Sequence, residues 1–182
     1  MPHIQLKPYV HTFPAPAVLI GCGTVDAPNL MTCAWFGVVC SEPPQVAVAI
    51  RPSRFSHQLI DESGEFTVNV PFVHQLKAVQ HCGAVSGRKE NKVDTLGLTA
   101  TACAPLAQAP MIVEMPIILA CKVRERMELG SHTLFIGEVL AIHAEERIVR
   151  RSGKVDPLSR QQIVYLDGRY WSLSSVEKSS VE

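Results

Sequence analysis

The chain has 182 residues, enough for one domain with a full hydrophobic core and no need of metal or disulfide staples. It is 47% hydrophobic and 19% charged, which excludes a disordered or coiled-coil protein and favours a compact, strand-rich one. Lysine plus arginine number 17 and aspartate plus glutamate number 17, so no global field draws in nucleic acid or an anionic membrane, and any anion site must be local.

Met1 to Pro8 lacks the basic start and continuous apolar stretch of a signal peptide. The strongest apolar run, Met111 to Cys121, carries Glu114 and Pro116 and is too short to cross a bilayer as a helix. Cys22, Cys33, Cys40, Cys82, Cys103 and Cys121 lie scattered in apolar segments with no Cys-x-x-Cys pair, and read as buried reduced thiols. A cytoplasmic protein with one domain over residues 1–182 is expected.

Pro2, Pro8, Pro14 and Pro16 make an extended lead-in, and Ala17 to Thr24 a short buried strand. Gly21-Cys22-Gly23 fails as a dinucleotide fingerprint, because Asp26 stands where the third glycine belongs and Pro28 and another strand replace the required helix. Asn29 to Ser41 then reads as one internal strand, β-branched and aromatic, with Trp35 and Phe36 on opposite covered faces. Small polar residues at its start and Gly37 in its middle leave room for a flat polar ligand against exposed backbone, which we read as a flavin.

After Glu42-Pro43-Pro44, residues Gln45 to Arg51 alternate, with Val46, Val48 and Ile50 on one face and Ala47, Ala49 and Arg51 on the other. Ser53 is a candidate N-cap for a short helix with Phe55 and Leu59 on one side. Arg51, Arg54, Ser56 and His57 around that helix start suit a phosphate site, and they equally suit an ordinary capped helix with solvated cations. Glu65 to Val70 is a strand with Phe66, Val68 and Val70 inward. Phe72 to Cys82 reads as a helix burying Val73, Leu76 and Val79, its His74, Lys77 and His81 forming a solvated face and not a metal site.

Gly83 to Asp94 is the most polar loop, basic through Arg88, Lys89 and Lys92, and is either a mobile surface loop or a phosphate clamp. Strands are expected at Leu98 to Cys103, at Met111 to Val123 with Pro116 as a bulge or edge, and at Leu134 to Ala144, entered through Gly130-Ser131-His132. Arg147 to Ser159 is a polar connector, and Ile163 to Leu173 a hairpin turning at Asp167-Gly168. About eight strands, two short helices and no βαβ rhythm indicate a mainly β fold, an antiparallel barrel with helical inserts.

Five stretches together resemble the flavin reductase-like family of FMN-binding split barrels, and within it the flavoredoxins: Asn29 to Trp35, Pro43-Pro44 with the strand to Arg51, Gly64 to Pro71, Ser86-Gly87 with Lys92, and His132 with Phe135 to Val139. The resemblance implies a homodimer with FMN near the subunit interface. Asn29, Leu30, Met31, Thr32, Cys33, Ala34 and Trp35 would hold the isoalloxazine, chiefly through backbone at Met31 to Cys33. Arg51, Ser53, Arg54, Ser56 and His57 would lie near the phosphate and ribityl chain, with Ser86, Gly87 and Lys92 closing the clamp. His132 would sit at the flavin's working end as the one candidate catalytic side chain, and Tyr170-Trp171 resembles the closing segment of flavoredoxins. The chain departs from the family at Asn91-Lys92-Val93, often Asp-Lys-Phe, and at Gly130-Ser131-His132, often Gly-Asp-His, so His132 lacks a neighbouring carboxylate in sequence.

The implied activity is an NAD(P)H-dependent flavin oxidoreductase. An electron carrier with tightly bound FMN and a protein partner is the alternative, and a non-redox anion-binding module the third. The protein need supply only position, electrostatics and access to a flavin. Neither nucleic acid nor a membrane is an expected partner.

Overall fold

The computed structural model describes residues 1–10, 13–156 and 161–173. Strands β1 (Ala15–Pro16), β2 (Val18–Gly23), β3 (Pro28–Cys33), β4 (Phe36–Ser41) and β5 (Pro44–Ile50) precede helix α1 (Phe55–Ser63). Strand β6 (Glu65–Val70), helix α2 (Leu76–Ala84) and the single turn α3 (Lys92–Thr95) follow. The second half holds β7 (Ala100–Thr101), β8 (Met111–Ile112), the long β9 (Ile117–Glu128) and β10 (Thr133–Ala144), and the hairpin β11 (Ile163–Leu166) and β12 (Arg169–Ser172).

Seven strands make one antiparallel sheet in the order β3-β2-β6-β9-β10-β5-β4. Strands β3 and β4 are consecutive in the chain yet occupy its opposite edges. Only a sheet rolled up until those edges approach can be joined by the two residues Ala34 and Trp35, and the result is an antiparallel barrel with a split. The expected mainly β fold with short helices is the one found.

Alternation sends Val18, Ile20 and Cys22 of β2 into the barrel, where they meet Val46, Val48, Ile50, Phe66 and Val68. Leu19, from the other face of β2, packs outside the barrel with Ala78, Val79 and Cys82 of α2. Both faces are buried, which explains why β2 reads as a continuous apolar run. Gly137 is fixed by packing, since a Cβ there would stand 2.5 Å from the Phe66 ring.

Four expectations need revising. Residues 29–41 form two edge strands and not one internal strand, and Trp35, at the break, is 41% exposed instead of covered. Pro116, with no N–H for a ladder, separates β8 from β9, and little beyond Ala100–Thr101 remains of the strand expected at Leu98 to Cys103. Arg54, not Ser53, holds the cap position of α1, and no side chain bonds there. The chain before α2 begins with a 3₁₀ turn, Val73–Gln75, that leaves Val73 exposed, while Ala78, Val79 and Cys82 are buried.

The outward face of β6 is covered by another segment. Glu65 accepts from the N–H groups of Ala107, Gln108 and Ala109, Thr67 donates to Pro110, and Asn69 accepts from the N–H of Ile112. These side chains are buried because the segment 107–112 lies across them.

Candidate functional site

Because β3 is an edge strand paired only with β2, its outer backbone groups face the split. At the corner after it, the Trp35 carbonyl accepts from Ala49 N–H at 2.9 Å, tying the break to β5. The Trp35 indole stacks on His132, with ring centroids 4.3 Å apart and planes 11° from parallel. Ser131 Oγ lies 2.9 Å from His132 Nδ1, so the serine occupies that nitrogen and leaves Nε2 for the site. A cavity of about 200 Å³ opens here, lined by Met31 to Trp35, Ala49, Arg51 and His132. Burial, and then the Arg51 guanidinium, hold the His132 imidazole below its ordinary pKa. Burial likewise pushes the Cys33 thiol up to about 11, so it stays protonated and is no nucleophile at neutral pH.

Beyond Thr32 lies a second cavity of about 220 Å³, where Asn29, Ser53, Arg54, Ser56, Ser86 and Lys92 converge with Gly87. Lys92 is 3% exposed, and its Nζ donates to the Val85 carbonyl at 3.1 Å. Burial depresses its pKa, partly countered by the neighbouring Cys82, Cys22 and Glu90. Asn29 Nδ2 donates to Ser56 Oγ at 2.8 Å, while the buried Asn29 Oδ1 has no partner among the described residues. A Cβ at Gly87 would stand 2.0 Å from that oxygen, so only glycine lets this loop approach so closely. Arg88 secures the loop to α1, with its guanidinium 4.9 Å from the Phe55 ring centre and bonded to Gln58 Oε1 at 3.0 Å.

A third and larger hollow, about 700 Å³, adjoins both, sharing Arg54 and Thr32 with each. Trp35, Arg51, Gln80, Tyr165 and Tyr170 line it. Tyr165 and Tyr170 meet edge to face at 5.3 Å across the β11–β12 hairpin. Asp167 and Gly168 both have positive φ, the geometry a two-residue hairpin turn demands.

The predicted residues therefore divide. Asn29, Ser53, Ser56, Ser86, Gly87 and Lys92 gather at one end, while Cys33, Ala34, Trp35, Arg51 and His132 gather at the other, with Met31, Thr32 and Arg54 common to both. Arg51 is thus apart from the serines and lysine. His57 lines none of these hollows: it is buried, 2.9 Å from Thr133 Oγ1 and edge-on to Phe135. The Leu30 side chain is in the core. Gln80, Gly83 and Tyr165 were not singled out from the sequence; the spacing of Gln80 and Gly83 on α2 was the available signal, and only the hairpin brings Tyr165 there. His81, expected on a solvated face, pairs with Glu90.

A family model described as a flavin reductase like domain matches residues 10–174. The solved flavoredoxin of Desulfovibrio vulgaris (Miyazaki F) is similar with a TM-score of 0.88 at 28% identity, over 98% of this chain and 97% of that one. An uncharacterized protein of Archaeoglobus fulgidus is 40% identical over 146 residues, 80% of each chain. The NADH-dependent FAD reductase of Streptomyces globisporus is 28% identical over 137 residues, 75% of this chain and 74% of that protein.

Proposed function

The chain belongs to the family of flavin reductase like domains, and from that premise we propose that it binds FMN and passes electrons from NAD(P)H through it to an acceptor. The observation that carries this is the unpartnered Asn29 Oδ1, buried on the wall of a cavity that also holds Lys92, Ser56 and Ser86. A buried oxygen without a donor costs about 1–3 kcal/mol, and a ribityl hydroxyl is a donor of the right kind. Lys92, with Arg54 and the serine hydroxyls, suits a terminal phosphate, and the ring would lie along the outer edge of β3.

When bound, a flavin accepts a hydride equivalent at its ring and releases electrons singly or in pairs. The chain's own part is electrostatic. Backbone N–H groups of Met31 to Ala34 would face the charge that reduction develops, and they need no reorganisation to do so. His132 is kept neutral at the ring end, with Nδ1 engaged by Ser131 and Nε2 left to hydrogen-bond the ring. Trp35 covers the opposite face of the imidazole from water.

We place the working protein in the cytoplasm as a homodimer. Largely buried thiols suit a reducing compartment. Val38 and Val39 on edge strand β4, 77% and 53% exposed, offer apolar edge surface suited to a second copy. The likeness to a flavoredoxin supports a second reading, an electron carrier reduced by a protein. Addition of FMN followed by desalting tests the shared premise: one flavin retained per chain supports it, and colourless protein refutes it.

A further inference from the structure

The first turn of α1 carries two buried polar side chains that reach different strands. Ser56 Oγ accepts from Asn29 Nδ2 on β3 at 2.8 Å, and the next residue, His57, places Nε2 2.9 Å from Thr133 Oγ1 at the start of β10. Ser56, His57 and Thr133 are all closed off from water. One turn on, Ile60 packs with Ile50, Phe66 and Phe135 of the barrel interior, and the Phe135 ring stands edge-on to the His57 imidazole at 5.2 Å. Strands β3 and β10 are not neighbours in the sheet, where β2, β6 and β9 lie between them. They face each other across the ring-end cavity, with Met31 to Cys33 on one wall and His132, directly before Thr133, on the other. The Ser56–Asn29 bond fixes α1 to the first wall, and the His57–Thr133 bond carries that position to the second.

His57 lines none of the hollows, so it holds no ligand itself. Stability alone does not account for it either, because replacing a buried hydrogen-bonded pair by two apolar groups of similar shape is nearly neutral. What the bond adds to apolar packing is a fixed direction. We propose that His57 is a positioning residue for the redox site, setting through Thr133 where His132 stands relative to the edge of β3. This rests on the reading above, that flavin lies along that edge, and it names the element that gauges the width of the slot.

The test uses Thr133→Val, Thr133→Ser, His57→Leu and the double variant His57→Leu/Thr133→Val, each also combined with His132→Ala. Single-turnover reduction of FMN-loaded protein by NADH should slow roughly 3- to 10-fold in Thr133→Val and in His57→Leu, the upper figure being the cost of losing the one hydrogen bond from His132. Thr133→Ser keeps the hydroxyl and should recover most of the rate. FMN affinity should stay close to that of wild type, since Asn29, Ser56 and Lys92 are unchanged. The double variant should melt near wild type and remain slow, because apolar packing restores stability without direction. With His132→Ala present, none of these changes should slow reduction further. In protein without FMN, proton NMR should show the His132 pKa moved towards its ordinary value in Thr133→Val and His57→Leu, and returned in Thr133→Ser. Rates that follow Tm and recover in the double variant would overturn the assignment and leave His57 a core residue. Equal slowing with and without His132, or a His132 titration that none of the variants moves, would overturn it too. Wild type that holds no FMN, or whose FMN NADH does not bleach, refutes the reading on which this rests, and the His132 titration without FMN then decides the positioning role separately.

Discussion

Trp35 and His132 lie face to face, centroids 4.3 Å apart, across the point where the two edges of the barrel sheet come together. The stack joins the corner between β3 and β4 to the start of β10, so the candidate catalytic imidazole is held by the same residue that marks the split. Replacing Trp35 with Ala should uncover the imidazole and raise its pKa towards the ordinary value, because burial is the main cause of its depression. The sign for stability follows. A histidine with a lowered folded pKa binds its proton less readily folded than unfolded, so the stability it contributes is present above the ordinary histidine range and declines as pH falls through it. Proton NMR of the His132 ring against pH, in wild type and Trp35→Ala, checks this.

His132→Ala should slow flavin reduction roughly tenfold with flavin still bound, the effect of losing one hydrogen bond worth about 1.4 kcal/mol. Stopped-flow reduction beside an FMN titration separates the two effects. Equal loss of binding and rate would mark the residue as structural.

Lys92 should show opposite effects on binding and stability. Its ammonium is 3% exposed and makes one bond, to Val85, so the ligand-free protein bears a desolvation cost. Lys92→Met should raise the apoprotein Tm by about 2–4 °C, the shift about 1 kcal/mol produces in a domain of this size. The same change should weaken FMN by about 1.5–3 kcal/mol through the lost phosphate contact. Calorimetric melting with and without FMN measures both.

Gly87→Ala sets a Cβ 2.0 Å from Asn29 Oδ1 and 3.0 Å from Phe55, so either the loop or Asn29 must move. Overpacking of this kind costs about 1–3 kcal/mol, and it should fall on FMN affinity because both partners line the phosphate-end cavity. A fluorescence titration with FMN reads the change.

Glu65 governs acid stability. Burial raises its pKa, but hydrogen bonds from Ala107, Gln108 and Ala109, with the Lys122 charge, outweigh that and leave it lowered. The stability it contributes is present above the ordinary carboxylate range and is lost as pH falls through the folded pKa. Glu65→Gln should cost about 1.5–3 kcal/mol at neutral pH, the worth of charged hydrogen bonds, and should flatten the acid limb of a urea-denaturation pH series.

The sequence resolved what depends on local pattern. The alternation of Val46, Val48 and Ile50 announced their burial, and Asp167-Gly168 announced a turn with positive φ at both residues. The polar residues of 51–56 and 86–92 were legible as a candidate anion site, although their separation into two ends, with Arg51 apart from Lys92, was not. Closure of the sheet decides that, and it depends on pairings remote in sequence. The same cause explains the break at Ala34–Trp35, where continuous β propensity masks a chain crossing between edges. The burial of Glu65, Thr67 and Asn69 was not legible for a different reason: a polar face of a strand looks alike whether water or another segment's backbone lies over it.

The central claim is that this barrel holds FMN and takes electrons from a nicotinamide nucleotide. Anaerobic addition of NADH, then NADPH, to protein that has retained FMN through desalting tests it most directly. Bleaching of the yellow flavin band by at least one of them is the predicted result. A retained band that neither nucleotide bleaches, but that dithionite does, would contradict the reductase account and direct attention to a protein donor.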